Sequence, residues 1–548
     1  MNDLDQAVLY GTPTESQEAF LTRALELGMA FIEGRARGGK VLEYQNEDAM
    51  RQYLAQPLPR QGMSLDGLMA ELETNVVRTS VAQSDLRYLA FPDTGNAVAG
   101  LGADILCTFL NQNLIAYDRS APSGMFIEME LIQWLRELVG FSHLPIDMPN
   151  LSLADVGGLW TSGGNMSNHV AVLVALHAKF PQIKQHGLRS LRKKPVIILA
   201  KGIEHFSFSS AALSLGLGQD SLVWTQANSD YTTDPDALQQ TIAELDDDCE
   251  PFMVVSVAGN CRTTGLDDIS AMRRICDDND LWLHVDACHG GNLLFSSKMR
   301  TRLSGIEHAQ SVSLDPHKGL FVGYPCSYVL FKDPAALEFI CRYPDKFRDP
   351  SCLDLGLIMP FYGSRGFHSL KLWALIKHLG VEGIGALVER RQALNDRLVR
   401  RLNKCGWFQL LNDGSFYRTA FVFYPQDVRR CVEADGMHVT AADTIRALIN
   451  KYTQIVSDQL YQSGEVVFDA FSLGDLDNRL NLGTADKYVA MAMAVGHPSI
   501  PVTKENAIFD TVDRIVAPVA QDMMQELFRL APREACNAPV SSKGPAGW

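Results

Sequence analysis

The sequence predicts an α/β protein whose mostly parallel sheet is flanked by helices, with a smaller α+β domain at the C-terminal end. From about residue 100 to residue 390, helical patterns alternate with short apolar runs. The apolar runs lie at 196–200, 252–257, 281–285, 310–314 and 328–331. Short apolar runs that alternate with helices are typical of buried strands joined by crossover helices, which make a parallel sheet.

Four parts follow from the pattern along the chain. Residues 1–100 are predicted as an N-terminal segment of amphipathic helices with a Pro-rich loop at 56–60. Residues 101–390 form the predicted large α/β domain, and residues 391–530 the predicted small domain. The small domain is predicted from helical patterns at 382–402 and 504–530 and from strand-like pieces at 416–424 and 465–473. Residues 531–548 are rich in Pro, Ala, Ser and Gly, which predicts a disordered tail.

Composition excludes several classes of protein. A net charge of -15 argues against binding to nucleic acid or to an anionic membrane surface. The eleven cysteines in 548 residues include no C-x-x-C pair, which favours reduced thiols over a disulfide framework. The acidic N-terminus lacks a signal-peptide pattern, and no apolar run is long enough to span a bilayer. We therefore expect a cytoplasmic protein.

Two residues that follow buried strands indicate the chemistry. Asp286 follows the run at 281–285, and Lys318 follows the run at 310–314. Residues that leave the carboxyl ends of parallel strands meet in one crevice. A lysine and an aspartate that meet there suit pyridoxal 5′-phosphate (PLP), because the amine forms a Schiff base and the carboxylate keeps the pyridine nitrogen protonated. We expect Lys318 to be buried with a lowered pKa, since the reaction needs a neutral amine.

A glycine-containing turn before a helical pattern predicts the phosphate site. Gly163, Gly164 and Asn165 precede a helical pattern from about 166 to 180. Glycine permits close approach of the backbone, and a helix N-terminus presents unpaired N–H groups to an anion. His205 follows the run at 196–200 and is predicted to stack on the pyridine ring. His317, beside the lysine, is predicted to contact the substrate carboxylate or to handle a proton.

Metal binding is the alternative for the middle of the chain. His284, Asp286, Cys288 and His289 carry ligand-type side chains. In a strand, residues 284, 286 and 288 share one face while residue 289 points away, so the set would need a bend. We predict no metal.

Taken together, these motifs resemble the group II PLP-dependent amino-acid decarboxylases, which include the glutamate, cysteine-sulfinate and aromatic-amino-acid enzymes. The resemblance runs from about residue 88 to residue 377, and more weakly into the C-terminal domain. The matching motifs are LNQN at 110–113, SGGNMSN at 162–168, EHFS at 204–207, the stretch 281–291, DPHK at 315–318 and SLKLW at 369–373. Sequence near 117–128 and 180–188 leans towards the glutamate and cysteine-sulfinate branch, while an aromatic or aliphatic substrate stays open.

The resemblance implies an aminotransferase-like (fold type I) homodimer whose active site lies at the subunit interface, with residues 1–100 as a dimerisation segment. It implies that Lys318 carries the cofactor, Asp286 contacts the pyridinium, His205 stacks on the ring, and Gly164 and Asn165 hold the phosphate. The implied reaction decarboxylates an L-amino acid to an amine and CO2 through external aldimine and quinonoid intermediates.

Three departures from the family pattern bear on these expectations. Asn260 stands in a stretch where relatives have Gly-Thr-Thr, and we expect its amide to contact the cofactor. The loop around Leu353 lacks the tyrosine that relatives use as a proton donor, with Tyr343 and Tyr362 nearby. Ala492 falls where many relatives have an arginine for the substrate carboxylate, a role that Arg365 is a candidate to fill.

The missing loop tyrosine keeps a second outcome open. Without a placed proton donor, decarboxylation coupled to oxidative deamination would give an aldehyde. A non-enzymatic scaffold that retains the PLP fold is a third hypothesis, which the intact Lys318, Asp286 and His205 disfavour.

Overall fold

In the computed structural model of the chain, the structure describes residues 7–9, 11–358, 361, 363–414, 416–434 and 442–530. The predicted tail at 531–548 lies outside the described residues. The helices are α1 Glu15–Ala36, α2 Glu47–Leu54, α3 Leu65–Glu71, α4 Val98–Leu110, α5 Tyr117–Ser120, α6 Pro122–Val139, α7 Gly164–Lys179, α8 Ile183–His186, α9 Ser207–Ser214, α10 Pro235–Ala243, α11 Ile269–Asp278, α12 Pro344–Phe347, α13 Leu370–Lys404, α14 Gln426–Ala434, α15 Ala442–Ser463 and α16 Val502–Leu530. The strands are β1 Tyr88–Leu89, β2 Gly158–Thr161, β3 Lys194–Ala200, β4 Leu222–Thr225, β5 Cys249–Val257, β6 Trp282–Ala287, β7 Ser311–Leu314, β8 Ser327–Phe331, β9 Phe408–Leu410, β10 Arg418–Phe423, β11 Val467–Asp475 and β12 Ala485–Ala494.

The large sheet has seven strands in the order β2-β8-β7-β6-β5-β3-β4. The central pairs from β4 to β7 are parallel, while β8 is antiparallel to both β2 and β7. Each apolar run identified in the sequence overlaps one of these strands, and the buried side chains of β3, β5 and β6 are mostly Val, Ile and Leu. Apolar residues on both faces let helices cover both sides of the sheet. The predicted α/β fold with a mostly parallel sheet is confirmed.

The small sheet has the order β1-β11-β12-β10-β9. Its strand β1 comes from the N-terminal segment and pairs in parallel with β11, so this segment is not purely helical. Strand β12, which the sequence analysis did not identify, lies between β11 and β10. Helix α13 crosses the boundary predicted at residue 390, with a kink at Gly380. The N-terminal segment, the large domain and the small domain are therefore joined by shared elements.

None of the described helices combines the length and apolar character needed to cross a membrane. The described cysteines carry free thiols.

A buried ion pair fixes helix α6 against the segment that leads into α13. Both terminal guanidinium nitrogens of Arg365 donate to the carboxylate of Glu128, and Ser369 Oγ donates to it as well. The Glu128 side chain is fully buried, and that of Arg365 is 5% exposed. Removing one member of such a pair leaves an uncompensated buried charge.

We expect Glu128→Ala to lower the free energy of unfolding by about 3–5 kcal/mol, because Arg365 would be left buried without its counter-ion. Glu137→Gln on the same helix, where the side chain is mostly exposed, should change it by less than about 0.5 kcal/mol. Urea denaturation of both variants measures the difference, and equal effects would contradict the assignment.

Candidate active site

Asp286 and Lys318 lie at the same end of two neighbouring parallel strands. Asp286 is in β6, opposite Ser313 of β7, and Lys318 ends the short 3-10 turn that follows β7. Both side chains line one pocket. The other residues that line it are Gly164, Ile203, His205, Val257, Gly259, Cys261, Cys288 and His289. The structure therefore brings together the amine and the carboxylate that the sequence placed after separate strands.

A buried asparagine to which the sequence analysis gave no role orients Asp286. Asn168 Nδ2 donates to Asp286 Oδ2 over 2.8 Å. Asn168 Oδ1 accepts from Ser313 Oγ at 2.8 Å and bonds His284 Nε2 at 3.1 Å. Burial lowers the pKa of His284 to about 4, so this ring is neutral near neutral pH. The signals in the sequence for this network were polar residues inside apolar strands and the last residue of the SGGNMSN motif, Asn168.

Lys318 forms an ion pair with a buried carboxylate. Its Nζ lies 3.1 Å from Asp315 Oδ2, and the Asp315 side chain is fully buried. Burial alone lowers the pKa of Lys318, but the carboxylates of Asp315 and Asp286 outweigh it and hold the pKa well above its ordinary value. The expectation of a lowered pKa for Lys318 is therefore wrong. The DPHK motif alone does not show that Asp315 is close enough to neutralise the ammonium group.

The backbone that carries Lys318 is fixed by the next residue. Gly319 has a φ of +129°, and a Cβ there would lie 2.2 Å from Arg391 Nη1. Arg391, which is fully buried, donates from this nitrogen to the carbonyl of Gly319 over 2.8 Å. Only glycine satisfies both the backbone conformation and this close approach.

His317 lies beside the same Asp315 oxygen, Oδ2, as Lys318 does. Its Nδ1 donates to the carbonyl of Cys326 over 2.8 Å, and its Nε2 lies 3.7 Å from Asp315 Oδ2. Its ring contacts Tyr324, with 4.1 Å between centroids. Burial lowers the pKa of His317 despite the nearby carboxylate of Asp315. His317 therefore acts beside Lys318 as a neutral ring under ordinary conditions.

His205 lines the pocket. The backbone N–H of Ser207 donates to His205 Nδ1 over 3.2 Å, which leaves the proton of the neutral ring on Nε2. The ring is half-buried beside Phe206, and burial lowers its pKa. A flat, neutral ring at this wall suits contact with an aromatic cofactor.

The glycine turn lies at the edge of the pocket, where α7 begins. Gly164 is the first residue of α7, and a Cβ there would lie 2.6 Å from Cys288 Sγ and 2.7 Å from Asp315 Oδ2. Gly163 precedes it with extended backbone, and the side chain of Asn165 is exposed. The first N–H groups of α7 are available to an anion.

The amide of Asn260 is used within its own turn. Its Nδ2 donates to the carbonyl of Tyr231 and to Thr263 Oγ1, and its Oδ1 accepts from the backbone N–H groups of Arg262 and Thr263. Its neighbours in the chain, Gly259 and Cys261, line the pocket, whereas Asn260 is not among the lining residues. The prediction that Asn260 contacts the cofactor is not supported, because the turn satisfies its polar atoms.

The described residues contain no group of three or more His, Cys, Asp or Glu side chains placed to hold a metal ion. His284 instead bonds Ser311 and Asn168.

The loop around Leu353 is packed against the large domain. Leu353 contacts its apolar core, and Asp354 Oδ1 accepts from the backbone N–H of Tyr117 over 2.7 Å. Tyr343 is 49% exposed, and Tyr362 lies outside the described residues.

Two further pairs at the pocket escaped the sequence analysis. His289 Nδ1 bonds the hydroxyl of Tyr417, which precedes β10 of the small sheet. Tyr324 Oη donates to Asp93 Oδ2 over 2.7 Å. Burial raises the pKa of Asp93, while Lys318 is near enough to act against that shift. The small domain and the N-terminal segment therefore both reach the site.

Arg365 is not available to replace the arginine absent at position 492. Its guanidinium is bound by Glu128, as described above. Ala492 is fully buried in β12, opposite Ala420 and Asp469.

The residues that line the pocket fit PLP. Lys318 supplies an amine, Asp286 supplies a carboxylate held by Asn168, and α7 supplies an N-terminus. A Cβ on Gly164 would collide with the opposite wall, so the pocket needs glycine there to stay open.

Comparison with known proteins gives the same assignment. Residues 48–423 match the family model described as the pyridoxal-dependent decarboxylase conserved domain. Human cysteine sulfinic acid decarboxylase is 29% identical over 447 residues, which cover 80% of this chain and 85% of the human protein. The mouse acidic amino acid decarboxylase GADL1 is 30% identical over 444 residues, which cover 78% of this chain and 77% of the mouse protein.

Among solved structures, mouse CSAD in its apo form superposes with a TM-score of 0.80 at 25% identity. The match covers 91% of this chain and 98% of the mouse chain. A family model that spans most of the chain, a shared fold and a pocket that fits the cofactor agree with one another. The chain belongs to the pyridoxal-dependent decarboxylase family and is a PLP-dependent amino-acid decarboxylase of fold type I.

Proposed function

We propose that this enzyme removes the α-carboxyl group of an acidic L-amino acid, and that Lys318 and Asp286 hold the cofactor from opposite ends. The observation that carries the proposal is that the Lys318 amine and the Asp286 carboxylate line one pocket. When bound, PLP supplies an electron sink for the electron pair that stays behind as CO2 leaves. The acidic substrate class is supported by relatives named for cysteine sulfinic acid and for acidic amino acids.

The other pocket residues take supporting roles. Asp286, held by Asn168, would keep a proton on the pyridine nitrogen, and His205 would lie against the ring. The first turn of α7, with Gly163, Gly164 and Asn165, would hold the phosphate through backbone N–H groups.

Lys318 has a second role as a proton store. When its Nζ is not bonded to the cofactor, it would take a proton, and Asp315 at 3.1 Å would stabilise the ammonium form. A proton held there is available for return to the substrate carbon. Lys318 and Asp315 would therefore replace the tyrosine that is absent from the loop around Leu353.

The substrate class is tested by measuring CO2 release from a panel of amino acids with added PLP. We expect cysteine sulfinate, aspartate or glutamate to react, with amine and CO2 formed in equal amounts. Lys318→Ala should reduce the rate by at least about a thousandfold. Exclusive reaction with aromatic or basic amino acids would contradict the substrate class, and aldehyde with peroxide would contradict the amine product.

Asp315→Asn tests the ion pair with Lys318. Attack on the cofactor aldehyde needs a neutral amine, and Asp315 holds the pKa of Lys318 above its ordinary value. Cofactor loading by wild-type apoenzyme should therefore speed up as the pH rises towards that pKa. In the variant the same rise should occur at lower pH, with loading near pH 7 faster by roughly tenfold per unit of pKa lost.

Loading is followed by the absorbance of bound cofactor after mixing apoenzyme with PLP across a pH series. Asp349→Asn, which changes a surface carboxylate, is the matched control and should leave the profile unmoved. An unchanged profile in Asp315→Asn would contradict the role of the pair.

We also propose that the enzyme is a homodimer. One face of α4 is apolar and exposed, and its residues are Val98, Leu101, Ile105, Leu106, Phe109 and Leu110. Their spacing is that of a helix stripe built to pack against another surface. Helix α4 begins just after Asp93, which pairs with Tyr324 beside His317, so a second copy placed there would lie near the site. Reduced thiols support a cytoplasmic location.

Introducing charge into the α4 face should separate the subunits. The double variant Leu106→Glu/Phe109→Glu is expected to sediment as a single 60.5 kDa chain, because two buried carboxylates per subunit would be unpaired. Leu58→Glu, at another exposed leucine, should leave the mass at twice that value. A dimer in the double variant would contradict the use of this face.

A further inference from the structure

One face of the small sheet carries a buried arginine, Arg418, that has no role in the proposed reaction so far. In β10, Arg418 lies opposite Ala494 of β12, while Ala492 lies opposite both Ala420 and Asp469. Side chains two residues apart share a face of a sheet, as do directly paired residues. Arg418, Ala492 and Asp469 therefore project from the same face.

The guanidinium of Arg418 crosses the central strand of this sheet. Its Nη2 forms an ion pair with Asp469 of β11, on the far side of β12. The small side chain of Ala492, opposite Asp469, leaves room for that crossing. The cation thus lies over Ala492.

This face lies next to the segment that approaches Lys318. Arg418 contacts Phe91, two residues before Asp93. Asp93 pairs with Tyr324, whose ring contacts His317 beside Lys318. Burial lowers the pKa of His289, and Lys318 and Arg418 are the next causes in the same direction. A charge that acts on His289 together with Lys318 lies near the reacting end of the pocket.

The guanidinium retains an unused donor. Arg418 is 3% exposed, and its Nε is buried with no hydrogen-bond acceptor among the residues that the structure describes. Phe91 and Phe471 contact it, with centroids 5.7 Å and 5.0 Å from the guanidinium carbon. An unfilled donor on a buried cation is costly unless a ligand accepts from it.

We propose that Arg418 binds the side-chain acid group of the substrate and selects acidic amino acids. The proposal rests on the proposed function. An arginine bound to the α-carboxylate would stabilise the group that must leave and so would slow the reaction. An arginine bound to the side-chain acid group keeps the same contact in the substrate, the transition state and the product. Asp469 holds the guanidinium in place while leaving Nε free.

The test compares two amines that lack the α-carboxylate. 3-Aminopropanoate carries a distant acid group and propylamine does not, so the ratio of their dissociation constants reports recognition of that acid. Titration of the holoenzyme, followed by the absorbance of the bound cofactor, gives both constants without turnover. We expect wild type to favour 3-aminopropanoate by at least about tenfold, as for a hydrogen bond to a charged group.

Arg418→Met should bring this ratio close to one, and Arg418→Lys should keep part of it. Asp469→Asn should raise the ratio, because it removes the carboxylate that competes for the guanidinium. Arg397→Met, which removes an arginine paired with Glu505, is the matched control and should leave the ratio unchanged. If Arg418→Met is poorly folded, the opposite change expected for Asp469→Asn still tests the proposal.

Two results would overturn the proposal. An unchanged ratio in a folded Arg418→Met, with KM raised equally for all amino acids, would place Arg418 on the α-carboxylate instead. Loss of the ratio in Arg262→Met alone would assign the acid to Arg262, which acts on His205 at the pocket. Because the titration needs no turnover, it stays readable even if the panel of acidic amino acids releases no CO2.

Discussion

The parallel pairing of β6 with β7 is the constraint on which the active site depends. Asp286 faces Ser313 in that pairing, and Lys318 follows within one short turn of the end of β7. A slip of one residue would turn Asp286 to the other face of the sheet. The network of Asn168, Ser313 and His284 ties the two strands to α7 and so fixes both the register and the direction of the carboxylate.

Charge balance in the pocket follows from this geometry. Without the cofactor, the ammonium group of Lys318 is neutralised by Asp315, so a largely buried lysine persists in its charged form. In the proposed mechanism, the same carboxylate would keep a proton near the substrate carbon. That donor would lie on a rigid element, where its position is set by Gly319 and Arg391.

Much of the fold could be predicted, since the buried strands of a parallel sheet are continuous apolar runs and are visible one at a time. Lys318, Asp286, His205 and Gly164 could be chosen from their positions after predicted strands, and all four line one pocket. Strand β12 was missed because its alternating Ala and Met residues fit a helix as well as a strand.

Interactions between residues far apart in the chain could not be predicted from the sequence, for a different reason. The pKa of Lys318 depends on how closely Asp315 approaches it, and the use of the Asn260 amide depends on the path of its turn. The contact of Tyr417 with His289 joins two domains. No local pattern encodes these distances, so they became visible only once the chain was folded.

The most direct test of the account is reductive trapping of the cofactor. Borohydride is added to the holoenzyme, and the peptide that carries the reduced pyridoxyl group is identified by mass spectrometry. The account predicts a single modified residue, Lys318. Modification of another lysine, or none in enzyme that has bound PLP, would contradict it.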